Sequence, residues 1–188
     1  MTKRSLSIMI MVLILVVSIT PISANSTVDF EGAGNYLKDL GIFTGYEDGT
    51  LRLENNITRA EVATLMVRMM SLEERASANK GKTPFKDIAG SFWASGYISV
   101  SKEEGLMTGY PDDTFKPQAN ITYAEVATIL VRLLGYEEKT VTEEWPIGHL
   151  RVASELGLVD HLTYENSYVV TRGDVAYMIY QALKAEVK

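Results

Sequence analysis

Side chains able to do chemistry are few and thinly spread in this chain. His149 and His161 are its two histidines and it has no cysteine; no Ser nucleophile stands at a recognisable spacing from either imidazole. Glu73-Glu74 and Glu143-Glu144 read as solvated charge in polar stretches rather than as paired catalytic carboxylates. Glu47-Asp48 and Asp112-Asp113 lie in turns too short to supply the alternating oxygen ligands of a calcium loop. Catalysis, a metal site and a cofactor are therefore not expected. What remains is a pair of arginines in an unusual place. Arg59 and Arg172 each follow a threonine at a helix entrance, where a cation opposes the helix dipole. A purely structural choice is disfavoured there, so both are candidates for meeting an anion.

The elements that would position them recur along the chain. Ile57–Arg68 reads ITRAEVATLMVR, Ile121–Arg132 reads ITYAEVATILVR, and Val170–Gln181 is a looser VTRGDVAYMIYQ. Each copy opens with a threonine N-cap (Thr58, Thr122, Thr171) and an acid three residues on (Glu61, Glu125, Asp174), the signature of a capping box. Apolar residues then follow at helical spacing: Val62, Leu65, Met66 and Met69 in the first copy. The methionines read as adaptable core packing. From Gly41/Gly105 to Arg68/Arg132 the first two copies run without a gap at an offset of 64, with sixteen of twenty-eight positions identical. Within that run, Asp48-Gly49 and Asp112-Asp113 predict tight turns. The third copy matches the second at the front, where Trp93, Gly96 and Gly105 correspond to Trp145, Gly148 and Gly157, but its turn is three residues shorter. The first copy has Asp29 where Trp93 would stand.

Asp29–Leu40 predicts a further helix, with Ala33, Tyr36, Leu37 and Leu40 on one side and Gly41 as a left-handed stop. Ser71–Thr83 and Gly135–Glu144 read as polar linkers with little surface to bury. One such unit of helix, turn and capped helix cannot bury its own stripes, whereas three can close a common core. The expected divisions are a signal peptide over 1–24 and units over 25–76, 84–138 and 142–188.

The signal reading rests on Lys3 and Arg4, an apolar run from Ile8 to Val17, and the small-x-small step Ile22-Ser23-Ala24. The run is short for a membrane span, so no stable membrane anchor is expected after cleavage. Cleavage removes two basic residues and no acidic one, which moves the formal charge from −6 to −8. An acidic chain is a poor match for nucleic acid. Without cysteine, an exported chain of this size must reach its stability through core burial alone.

Phe85-Lys86-Asp87, Trp93-Ala94, the run from Glu104 to Pro117 and Ile121-Thr122-Tyr123-Ala124-Glu125 resemble the S-layer homology (SLH) repeat. Its pattern is F-x-D, W-A, G-hydrophobic-x-x-G-Y-x-D-G-T-F-x-P and I-T-R-A-E. The second copy matches nearly end to end, and a looser likeness covers the rest of the mature chain. The resemblance implies an all-α fold in which three helix-turn-helix repeats pack as a pseudo-threefold, three-pronged module. It also implies a non-catalytic, secreted, cell-surface anchoring role: binding secondary cell-wall polysaccharide that bears pyruvate ketals, in grooves between repeats. A protein-docking or self-assembly module with worn grooves is the competing expectation. Another surface protein is an expected partner, since nothing else in the chain reads as a passenger.

The resemblance assigns the ligand's carboxylate to the arginine of T-R-A-E, here Arg59 and Arg172. A guanidinium suits a carboxylate by its forked geometry. Small residues at the turn become Thr44 with Gly45 and Thr108 with Gly109; Asp87, Trp93 and Trp145 complete the set. Core packing remains open for the tryptophans, and a turn brace for Asp87. Tyr123 replaces one arginine, His161 takes the place of one glycine, and the first copy lacks a tryptophan. One or two competent grooves are therefore expected, with Arg59 the leading residue.

Overall fold

Three helices begin alike because the same side chains dictate it. Thr58 Oγ1 accepts from the Glu61 amide, while Glu61 Oε2 accepts from the Thr58 amide at 2.8 Å. Thr122 with Glu125 and Thr171 with Asp174 close the same capping box. The computed structural model describes residues 28–188, so the expected signal over 1–24 lies outside the described residues. The helices are α1 (Phe30–Asp39), α2 (Arg59–Met69), α3 (Glu73–Ala78), α4 (Ser95–Glu103), α5 (Tyr123–Leu133), α6 (Ile147–Glu155) and α7 (Arg172–Ala182), with a 3-10 turn at Glu137–Thr140. Among the described residues extended pairing is limited to isolated bridges, and no helix is long and apolar enough to cross a membrane.

A threonine cap satisfies one orphan amide of a helix, and the amides of the first two residues need other partners. They find them on a different copy. Arg59 and Ala60 donate to Ala119 and Pro117 carbonyls at 2.9 and 3.1 Å; Tyr123 and Ala124 donate to Tyr168 and Asn166 at 2.8 and 3.2 Å; Arg172 and Gly173 donate to Asn55 and Leu53, both at 2.8 Å. The start of α2 is thus seated on the turn before α5, the start of α5 on the turn before α7, and the start of α7 on the turn before α2. Isolated bridges at Thr58/Asn120, Thr122/Val169 and Asn56/Thr171 accompany these bonds. Helix pairing follows the same order: α2 lies against α4, α5 against α6, and α7 against α1. The capped helix of each copy packs on the front helix of the next rather than on its own.

The core under these contacts is continuous. Leu37, Phe43, Ile57, Met66, Ile98, Phe115, Ile121, Leu130, Leu158, Met178 and Ile179 are fully buried in one cluster. Met66 and Met178 are packing residues, filling space between helices as an unbranched thioether can. The front helices end as their sequence dictates. Gly41 donates to Lys38 and Ile42 to Leu37, and the pattern returns at Gly105-Leu106 and Gly157-Leu158 with the glycines at φ 70–74°. Asp113 adopts φ 58° where Gly49 adopts 80°, so the turn survives that substitution.

Three expectations change. Ser71–Thr83 is not a plain linker: Glu73–Ala78 forms α3, and Ala76 packs with Val67, Val100, Leu72 and Tyr97. Six residues that bury a single alanine leave no periodic stripe to read. Gly96 is what admits them, since a Cβ there would lie 1.9 Å from the Ala76 carbonyl oxygen. Gly135–Glu144 likewise holds the 3-10 turn with Thr140 buried, and a Cβ on Gly148 would come within 2.6 Å of the Thr140 oxygen. Third, Tyr36 and Leu40 are half exposed rather than aligned with buried Ala33 and Leu37; Tyr36 instead packs edge-on against Tyr180 of α7, centroids 5.3 Å apart.

Candidate functional site

The helix entrance places each arginine, and the neighbouring turn then closes over it. Arg172 is 6% exposed. Its Nε donates to the Leu51 carbonyl at 2.9 Å, Nη1 to Glu61 Oε1 at 3.1 Å and Nη2 to the Thr44 carbonyl at 3.3 Å. Its guanidinium carbon lies 4.6 Å from the Phe43 ring centroid and 5.1 Å from that of Tyr46. Arg59, 5% exposed, repeats this one copy along: Nε to the Phe115 carbonyl at 2.8 Å, Nη1 to Glu125 Oε1 at 2.6 Å, over Tyr110 and Phe115. The cation at the first helical position is thus offset by a capping-box acid of another copy. Glu61 and Glu125 each hold a helix cap with one oxygen and an arginine with the other. Tyr110 donates to Glu125 Oε1 at 3.2 Å; burial, opposed by Arg59, raises its phenol pKa, so it stays a neutral donor.

At the third such seam Tyr123 replaces the arginine. It is buried, its hydroxyl faces the Leu162 carbonyl at 3.4 Å, and its ring meets Tyr164 edge-on at 5.6 Å. Tyr164 donates to Asp174 at 2.8 Å and stacks on Tyr168 at 4.1 Å. His161 takes the left-handed conformation, φ 65°, where a glycine stands in the other copies. This seam is aromatic where the other two hold an arginine.

One cleft, of about 210 Å³, brings four of the expected residues together. It is lined by Thr44, Gly45, Trp93 and Arg172 with Glu61 and Arg68. The sequence puts Arg59 first, yet this cleft holds Arg172, contributed from 128 residues beyond Thr44. Pairing across the ends of the chain left no local trace. Arg68 also lines the cleft, with no signal of its own in the sequence. It sits at the far end of the repeated ITRAEVATLMVR string, and its Nη1 donates to the Ile42 carbonyl at 3.2 Å and to Thr44 Oγ1 at 3.3 Å.

Trp93 and Trp145 are 53% and 57% exposed and precede their helices, so neither is a core residue. Trp145 donates its indole N–H to Thr128 Oγ1 at 3.0 Å. Asp87 is a brace: its two carboxylate oxygens accept from the Phe115 and Lys116 amides at 2.9 and 2.7 Å, fixing the turn on which Arg59 rests. Gly109 lies under Phe85, whose ring a Cβ would approach to 2.2 Å. That ring leaves less open space beside Thr108 and Gly109 than beside Thr44 and Gly45. Among the described residues no group of three or more His, Asp or Glu could hold a metal ion.

The S-layer homology domain model matches residues 35–63 and 84–127. The chain is 38% identical over 158 residues to the Middle cell wall protein of Brevibacillus brevis, a match covering 84% of this chain and 15% of that protein. It is 38% identical over 130 residues to the Surface layer protein of Brevibacillus choshinensis, covering 69% of this chain and 12% of the relative. With the Cellulosome-anchoring protein of Acetivibrio thermocellus it shares 40% identity over 90 residues, 48% of this chain and 20% of the relative. The chain therefore spans no more than a fifth of the length of these proteins. The two matched segments include the turn of Thr44 and Gly45, Asp87, Trp93 and both perfect ITxAE strings, and the chain belongs to the S-layer homology domain proteins.

Proposed function

We propose that this chain is a non-catalytic module of the cell surface that anchors by binding cell-wall polysaccharide bearing an acidic sugar, such as a pyruvate ketal. Three units of the S-layer homology type, over 25–76, 84–138 and 142–188, close as a pseudo-threefold, three-pronged body after removal of an export signal over 1–24. The cyclic seating of each capped helix on the next turn supports that arrangement. The names of the relatives, cell-wall, surface-layer and cellulosome-anchoring proteins, support the surface location and the anchoring role.

The observation that carries the ligand class is the cleft of Thr44, Gly45, Trp93 and Arg172. A half-exposed indole offers a face to the C–H side of a sugar ring, a glycine lets the ring approach backbone, and guanidinium groups meet a carboxylate. The cleft falls below the ~300–1,000 Å³ usual for small-molecule pockets, so it suits one sugar ring. By the repeat, Arg59, Thr108, Gly109 and Trp145 correspond to this set at the second seam, where the Phe85 ring fills space beside Gly109. Sedimentation of the mature protein with purified sacculi tests the role. Co-sedimentation that disappears when the secondary polysaccharide is stripped supports it; co-sedimentation indifferent to stripping favours docking on another surface protein.

A further inference from the structure

The three seams differ in charge in a way the repeat pattern does not suggest. The first cleft contains Arg172 and Arg68 against the single carboxylate of Glu61. Arg172 is spent on Glu61 and two carbonyls. Among the described residues Arg68 has only neutral partners, the Ile42 carbonyl and Thr44 Oγ1, so the cleft keeps one positive charge that no described carboxylate pairs. At the second seam the equivalent residue is Arg132, and its Nε is bound to Glu137 Oε1 at 2.7 Å. With Arg59 bound to Glu125, that seam sums to zero. At the third, Gln181 and Tyr123 stand in the two cationic positions beside Asp174, and Asp29 stands in the tryptophan position, so neither cationic position holds a cation. Trp93 also has no indole hydrogen bond among the described residues, whereas Trp145 is tied to Thr128.

We propose that Arg68 is the residue that grips the ligand's carboxylate, acting together with the Thr44 hydroxyl, and that the first cleft is consequently the one competent acidic-sugar site of the chain. The proposal rests on the polysaccharide reading above. Arg172 supplies shape and potential, and Arg68 supplies free donors. Glu137 is what silences the second seam, because it consumes the cation that would otherwise face the ligand.

Isothermal titration with the methyl glycoside of a pyruvylated N-acetylhexosamine, and with the same glycoside lacking the ketal, tests this. Wild type is expected to bind one acidic glycoside and to ignore the neutral one. Arg68→Gln is expected to weaken binding at least about tenfold, the scale of a lost charge-assisted hydrogen bond, with Arg68→Lys recovering part of the loss. Arg132→Gln is expected to leave affinity unchanged, and Glu137→Gln to raise the stoichiometry toward two. An Arg68→Gln protein that folds with the wild-type unfolding midpoint and binds with wild-type affinity overturns the assignment while sparing the polysaccharide reading. Equal losses in Arg68→Gln and Arg132→Gln overturn the single-cleft claim. Wild type that binds neither the glycoside nor unstripped sacculi overturns both readings; wild type that sediments with sacculi but shows no preference for the acidic glycoside overturns the carboxylate grip alone.

Discussion

Arg172 and Glu61 face each other at 3.1 Å although 111 residues separate them in the chain. Glu61 caps its own helix through one oxygen and fastens the last capped helix to this first one through the other. Arg59 and Glu125 repeat the arrangement at 2.6 Å. These arginines therefore hold the body together as well as bordering the proposed ligand site, and their substitution cannot be read as loss of a ligand contact alone.

Arg172→Ala and Arg59→Ala are expected to lower stability by about 2–3 kcal/mol each. Breaking a buried pair typically costs ~3–5 kcal/mol, and the partly hydrated carboxylates reduce it here. Denaturant unfolding followed by circular dichroism measures this directly. Midpoints equal to wild type would remove the arginines from the fold's framework.

Thr122→Ala is expected to cost about 1 kcal/mol, the usual value of a helix N-cap. For a chain of this size that is a fall of roughly 2–4 °C in melting temperature. Thr122→Ser should keep most of the stability, because the Glu125 amide still finds a hydroxyl acceptor. A Ser variant as damaged as the Ala variant would mean that the threonine methyl, not the cap, matters.

Gly96→Ala is expected to lift α3 off α4, since the added carbon would meet the Ala76 carbonyl at 1.9 Å. Backbone must move there, as no flexible side chain can give way. Hydrogen exchange should then rise across Glu73–Ala78 while α5 and α7 stay protected. Unchanged protection in α3 would contradict the close approach.

His149 lies 3.4 Å from Thr140 Oγ1 and 4.0 Å from Glu137 Oε1. Burial first, then the charge of Arg132, hold its pKa below the ordinary value, with Glu137 opposing. The folded chain therefore resists protonation that the unfolded chain accepts. The stability His149 contributes is complete above an unfolded pKa near 6.5 and is lost as pH falls toward its folded value. Wild type should lose melting temperature between pH 7 and 5 more steeply than His149→Gln, and parallel slopes would exclude the histidine.

The capped helices, their boundaries and the left-handed glycine stops were legible because each depends on residues within five positions of one another. Thr58 with Glu61 and Gly41 with Ile42 needed no distant partner. The seams were not legible in detail: nothing local to Arg172 points to Thr44, and the likeness of the copies hides which turn each arginine reaches. Glu137 and Arg68 are hidden for a related reason. Glu137 falls in a stretch that reads as solvated linker, and Arg68 has its copy in Arg132, so only the ion pair on one of them tells the two apart. Asp87 stays open between two roles in the sequence, because an acid before a turn can brace amides or face a ligand.

The proposed site makes its sharpest demand on Trp93. With Trp145→Phe in place, Trp93 is the sole indole of the chain, and it is half exposed in the cleft. Titration with purified cell-wall polysaccharide bearing pyruvate ketals should shift and saturate its fluorescence, and mild acid removal of the ketals should abolish the change. An emission that does not respond, in a protein that still sediments with the same polysaccharide, would contradict binding in this cleft.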